Sequence, residues 1–375
     1  LPVLIISQKE RVVLYANKYA QIQYGIPIDK LRGSTIDEVY TIKGQEGHLL
    51  ECNTRNAFTQ KLEVVIKPKY THEFIAFLSI SPIIYQNKKC YLGMVMDISK
   101  QKEIEYETRR IHNQTSDSID YASLIQSALL PDNKLIKQYF SDQFIIWHPK
   151  YPVGGDIYLF SNLRHKDECL LMVIDCMGLG VSGAFVTMLV KAVETQIISR
   201  IINDKDANVS PACIMEYLRK TLKQLVKQEN KNSISNAGVD GAIIYYNKKE
   251  KIIKFTGAGT PLFYVDLQGE LHIIKGDRYS VGYKKYDTEH KYKESTIYVE
   301  KGMKFYCSTD GYFGQMGGEK GFPFSKKRFT NLIKEYYHES MAEQQEIFLY
   351  EMAEYEEMVE NNERNDDLTV IGFTI

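Results

Sequence analysis

The sequence predicts an α+β protein made of a small antiparallel-sheet domain, a helical connector and a larger α/β sandwich. Three observations carry that prediction. Short β-branched runs crowd both halves of the chain, a polar stretch with helically spaced apolar residues separates them, and long helical stretches interleave only with the second set of strands. At 375 residues, 44% hydrophobic and 25% charged, the chain has an ordinary globular composition and the length of two domains plus a connector.

In residues 1–98 the runs LPVLIIS and RVVLYAN precede a short helix, and KLEVVIKP, EFIAFLSISPIIY and KKCYLGMVMDI follow it. Their alternation and β-branched content predict antiparallel strands. Residues 99–130 turn polar, with Ile111, Ile119, Ala122, Ile125 and Leu129 drawing one stripe on a helix and Thr115 filling one of its places. Such a stripe fits either a surface helix packed on its own domain or a coiled linker in a homodimer. In residues 131–375 the runs FIIWHPK, ECLLMVIDC, GAIIYYN, KIIKFTGAG, MKFYCSTDG and LTVIGFTI read as strands. Helices are expected over Gly183–Ile202, Pro211–Gln228 and Phe329–Val359.

A formal net charge of -1 supplies no global field for nucleic acid or an anionic membrane, so any partner is recognised locally. The cysteines, Cys52, Cys90, Cys169, Cys176, Cys213 and Cys307, form no CxxC pair and lie mostly in apolar runs, as expected of reduced thiols in a cytoplasmic protein. The most apolar stretch, Cys169–Val190, is interrupted by Asp175 and several glycines, so no membrane contact is expected from this chain. It opens at Leu1, directly in a strand-like run, which is compatible with further sequence upstream and a membrane-anchored parent protein.

Chemistry concentrates in aspartates at the ends of predicted strands: Asp156 in PVGGDIYLF, Asp175 in LLMVIDCMGLG, Asp310 in FYCSTDG, and Asp366 with Asp367 in RNDDLTVIGF. A strand ending in Asp-Gly delivers a carboxylate to a sheet edge and turns the chain at once; any one such site alone reads as a turn. Several together form an all-oxygen set that selects hard ions such as Mg²⁺ or Mn²⁺. Two such ions activate water and polarise a phosphoryl oxygen for in-line displacement.

In order and context, GGD, the Asp175 strand followed by GLGVSGAFVTML, AGTPLFY, STDG and DDLTV resemble the successive motifs of the PPM metal-dependent protein phosphatases, in particular the bacterial SpoIIE-like subgroup that serves partner-switching pathways. The resemblance spans Leu124–Ile375, and implies an αββα sandwich. It also implies that Asp156, Asp175, the Cys176 backbone carbonyl, Asp310 and Asp366 hold two Mn²⁺ or Mg²⁺ ions, with Asp367 supporting those ligands from behind. Gly178, Gly180, Gly257 and Gly259 would shape the surrounding loops, and Gly311 the turn after Asp310. The implied substrate is a phosphoserine or phosphothreonine in a small STAS-type regulator, such as an anti-sigma-factor antagonist. Two positions depart from many relatives, which carry acids where this chain has Leu159 and Gly314. No phosphate-clamping arginine is assignable, and Lys150 is a candidate substitute.

The N-terminal stretch RVVLYANKYAQIQYGIPIDKLRG and the exit YLGMVMDISKQKE, with Asp97-Ile98-Ser99 at the junction, resemble PAS sensor domains. Its ligand is unknown: Cys52 lacks the surroundings of a flavin-adduct cysteine, and His48 and His72 lie in polar loops. Two rival readings are weighed against the phosphatase. A diguanylate cyclase also follows PAS with GGD, but Asp156 is followed by Ile157-Tyr158-Leu159, and STDG and DDLT would be left unexplained. A catalytically weak phosphoprotein-binding scaffold is the other.

Overall fold

The computed structural model describes residues 1–43, 60–164, 166–204, 208–228, 238–282, 290–359 and 364–375. The chain divides into two compact units, Leu1–Thr115 and Ser116–Ile375.

The first unit contains β1 (Val3–Ser7), β2 (Val13–Ala16), α1 (Lys18–Tyr24), α2 (Ile28–Leu31), α3 (Ile36–Val39), β3 (Tyr40–Ile42), β4 (Gln60–Pro68), β5 (Phe74–Tyr85) and β6 (Lys88–Asp97). The strands form one antiparallel sheet in the order β2-β1-β6-β5-β4-β3. Helix α1 begins where the Asn17 side chain accepts the Ala20 amide, and stops at Gly25, whose φ of 67° ends the helical path. The hairpin between β5 and β6 turns on Gln86 and Asn87, both at positive φ (50° and 56°), the geometry whose twist matches paired strands. Alternate strand residues Leu4, Ile6, Ala76 and Leu78 bury against Tyr24, Leu31 and Val39. His72 is exposed, whereas His48 and Cys52 lie outside the described residues.

Helix α4 (Ser99–Ala128) is continuous and begins where the Asp97 carboxylate accepts the Ser99 amide. Of its stripe, Ile111 and Ile125 are exposed, Ile119 and Ala122 are half-buried and Leu129 packs against the core of the second unit; Leu124, off the stripe, is exposed, and Gln126 is the one helix residue fully buried.

The second unit continues through α5 (Asn133–Ile136), β7 (Asp142–His148), β8 (Asp156–Asn162), β9 (Glu168–Cys176), α6 (Val181–Asn203), α7 (Pro211–Leu225), β10 (Val239–Asn247), β11 (Ile252–Ala258), β12 (Leu262–Val265), β13 (Leu271–Ile274), β14 (Ser295–Tyr298), β15 (Lys304–Ser308), α8 (Asp310–Gly314), β16 (Met316–Gly317), β17 (Phe322–Pro323), α9 (Ser325–Tyr336), α10 (Met341–Glu357) and β18 (Leu368–Thr374). Two five-stranded antiparallel sheets, β14-β11-β10-β9-β8 and β13-β12-β15-β18-β7, face each other. Alternation along the strands separates three cores. Tyr158, Phe160, Val173, Phe305 and Phe373 fill the space between the sheets. Leu159, Leu170 and Met172 face α6 and α7 on one side, and Phe144, Ile146 and Val370 face α9 and α10 on the other. The result is the αββα sandwich expected from the sequence.

Two details differ from expectation or refine it. The helix expected over Phe329–Val359 is two helices, because Ser340 and Glu343 form a capping box that starts α10 afresh. Helix α6 is long and apolar enough by composition to cross a membrane, but Gly183, Ala184, Val190, Val193 and Ile197 bury one face of it within the domain.

Candidate active site

The acidic residues meet at one end of the two sheets. Strand register fixes the first of them: Asp156 on β8 stands opposite Asp175 on β9, which stands opposite Asp240 on β10. One row across three strands therefore ends in three carboxylates. Asp310, at the start of α8, lines one small pocket with Asp175 and Asp240, close enough for its charge to raise the Asp175 carboxyl. Asp366, just before β18, adds to the negative field felt by both Asp156 and Asp175.

Each acid has a distinct environment. Asp156 is 2% exposed, and one of its oxygens accepts the hydroxyls of Thr309 (2.7 Å) and Thr369 (2.6 Å) from the opposite sheet. Burial nevertheless raises its carboxyl well above the usual range, against the pull of those two hydroxyls and with the push of Asp367 and Asp366. Asp175 is pushed up to about 10, first by burial and then by the charges of Asp156 and Asp310. Burial also raises Asp240 and Asp366, the latter opposed in part by the Lys150 ammonium. Groups of like charge packed this way favour a cation that neutralises them.

Asp367 plays another part. Its carboxylate accepts the amides of Lys150 (2.7 Å) and Gly155 (2.5 Å), and so ties the loop before β8 to the last strand. That close approach explains the glycine pair: a Cβ on Gly154 would stand 2.6 Å from the Asp367 carboxylate, and one on Gly155 would overlap the Cys176 carbonyl oxygen. The Cys176 carbonyl is thus turned toward the loop that carries Asp156. Gly178 and Gly180 lie in the β9–α6 loop, Gly257 is next to the last residue of β11, Gly259 packs beside the Asp240 carboxylate, and Gly311 packs under the Asp367 carbonyl.

The fit to a divalent metal is one of chemistry rather than of a finished cage. All the donors are oxygens, Asp156 buried, Asp175 and Asp366 half-buried and Asp310 exposed, and among the described residues no ion pair neutralises any of the four. Among the described residues, however, no three His, Cys, Asp or Glu side chains are drawn together closely enough to hold an ion by themselves. The hydrogen-bonded ladders fix the backbone positions of Asp156, Asp175 and Asp240, while their carboxylates remain able to rotate about the side-chain bonds toward an ion.

The two departures have different settings. Leu159 is 1% exposed in the core under α6 and α7, on the face of β8 opposite to Asp156, so it does not reach the acids. Gly314 has open space where a side chain would be. Lys150 donates to the Asn365 carbonyl at 3.3 Å and lies over the Tyr151 ring.

Three participants escaped the sequence reading. Asp240 carries the same signal as the others, Val-Asp-Gly at a strand, but the expected strand began one residue later. Gln126 gives no local signal at all. Fully buried at the end of α4, it donates to the Gly154 carbonyl (2.7 Å) and to the Thr187 hydroxyl (3.1 Å), and accepts the Gly154 amide (3.1 Å). Lys326, at the start of α9, lines a small pocket of about 40 Å³ with Asp175, Asp240 and Asp310. A larger cleft of about 730 Å³, lined by Phe322, Arg328, Tyr355 and Met358, contains none of the acids.

Residues 165–375 match the family described as stage II sporulation protein E (SpoIIE). The SiaA-PP2C domain of Pseudomonas aeruginosa is similar over 71% of this chain and 98% of its own, at 30% identity and a TM-score of 0.61. The PP2C phosphatase domain of Bacillus subtilis SpoIIE, with a fragment of its regulatory domain, aligns over 80% of this chain and 70% of its own, at 13% identity and a TM-score of 0.47. The catalytic domain of the serine/threonine phosphatase PstP, in complex with two manganese ions, aligns over 62% and 97% at 14% identity and a TM-score of 0.43. No curated protein sequence matches.

Proposed function

The chain belongs to the SpoIIE family, with a PP2C-type serine/threonine phosphatase fold, and from that premise we propose that it hydrolyses phosphoserine or phosphothreonine on a regulatory partner protein. The observation that carries this reading is the row of Asp156, Asp175 and Asp240 joined by Asp310 at the mouth between two sheets. In this proposal Asp156, Asp175, the Cys176 carbonyl, Asp310 and Asp366 hold two Mn²⁺ or Mg²⁺ ions. When bound, such ions supply Lewis acidity and an activated water for in-line attack on phosphorus. The residues of the chain set the geometry. Thr309 and Thr369 orient one oxygen of Asp156, Asp367 clamps the Gly154-Gly155 loop, and Gln126 holds that loop from the other side.

The proposed substrate is a phosphorylated STAS-type regulator, and the proposed setting is the cytoplasm. The first unit acts as a PAS-like sensor over residues 1–98, residues 99–130 as its linker, and residues 131–375 as the phosphatase. Control through the linker is supported by one geometric fact: the helix leaving the sensor carries the side chain that grips the loop beside Asp156. The exposed apolar residues Ile111, Leu124 and Ile125 support a homodimer formed along that helix. Incubation of the full chain with a phosphorylated STAS protein and Mn²⁺, followed by mass measurement, tests the activity. Loss of one phosphate per substrate, absent in a chelator control, is the expected result, and binding without turnover would favour a scaffold.

A further inference from the structure

We propose that Lys326 is the cation that binds the phosphoryl group of the substrate at this site. The inference rests on the phosphatase reading above and adds a recognition residue to it. A phosphate monoester approaching a basin of carboxylates meets a repulsive field, so the chain needs positive charge of its own at the entrance as well as in any bound ion. Two lysines are candidates by position. Lys150 lies beside Asp366, but its ammonium donates to the Asn365 carbonyl and its backbone amide is bound by Asp367.

Lys326 is differently placed. It lines the same pocket as Asp175, Asp240 and Asp310, its side chain is exposed, and neither a hydrogen bond nor an ion pair engages its ammonium among the described residues. Among the described residues its partner is the face of Phe313, with the ammonium 5.3 Å from the ring centre. Phe313 is 6% exposed and packs edge-on against Phe329 at 5.1 Å, so it is a fixed platform three residues beyond Asp310. Ser325 enters α9 at a φ of 76°, in the left-handed region, and so sets where Lys326 leaves the backbone. A strongly hydrated, flexible ammonium resting on an aromatic face, beside acids and paired with none of them, is free to close on a phosphate oxygen at little cost.

The test compares Lys326→Met, Lys326→Arg and, as a control on the same helix, Lys327→Met in the full chain with Mn²⁺. Steady-state turnover of a phosphopeptide is measured alongside calorimetric binding of inorganic phosphate. Losing a charge-assisted hydrogen bond should weaken phosphate binding and raise KM by about tenfold or more in Lys326→Met, with a smaller change in kcat. Lys326→Arg should recover most of both, and Lys327→Met should match the parent. Unchanged phosphate affinity and KM in Lys326→Met would overturn the proposal, as would an equal loss in Lys327→Met. A parent chain that binds phosphate through Lys326 yet turns nothing over would sink the phosphatase reading and leave this one standing.

Discussion

Replacing Gln126 with leucine tests how the helix end supports the catalytic loop. The side chain is fully buried and makes three hydrogen bonds, two of them to the backbone of Gly154 and one to Thr187. Leucine keeps much of the volume but leaves the Gly154 amide and carbonyl buried without partners. Each orphaned group costs about 1–3 kcal/mol, so the catalytic unit should lose roughly 2–6 kcal/mol. The sole tryptophan, Trp147, donates its indole N–H to the Asp156 carbonyl at 3.0 Å, so its fluorescence reports on this unit alone. Urea titration of the full chain followed at Trp147 should show an earlier midpoint with an unchanged slope, and the Mn²⁺ concentration for half-maximal turnover should rise because the loop before Asp156 is loosened. An unfolding free energy within about 0.5 kcal/mol of the parent's would refute the claim that Gln126 holds the loop.

Asp175→Asn and Asp310→Asn should each abolish phosphatase turnover while the fold persists, and turnover near the parent's at saturating Mn²⁺ would remove them from the proposed ligand set. Without metal, the folded state retains protons on raised carboxyls that the unfolded chain has lost. Stability should therefore fall as pH rises from about 4 toward 10, the value to which Asp175 is pushed, and Asp175→Asn should flatten that slope in thermal melts. Alkylation at the exposed Cys213 should leave Mn²⁺-dependent turnover intact, since Cys169, Cys176 and Cys307 are buried and their thiols pushed up; full inactivation with the fold preserved would count against the metal reading. One residue inserted near Glu105 should rotate the rest of α4 by about 100° and change activity or its regulation, whereas seven should restore the phase to within about 20°. If both insertions match the parent's dephosphorylation rate, the helix is only a tether.

The sequence by itself determined what is written locally. An acid at either end of an apolar strand, near glycine or another acid, is a short-range pattern, so Asp156, Asp175, Asp310 and the Asp366-Asp367 pair stand out in the sequence, and helical periodicity announces α6 and α7 to within a few residues. Even a local signal was misread where Ser340 and Glu343 restart the last helix. Tertiary structure alone decided which acids are neighbours. Only the β8–β9–β10 register puts Asp240 in line with Asp175 and Asp156, and only the packing of α4 and α9 brings Gln126 to Gly154 and Lys326 to the pocket. The physical reason is distance along the chain. Hydrogen-bond ladders and interlocking side chains join residues as far apart as Asp156 and Thr369, and no pattern within a few residues of either end encodes that meeting.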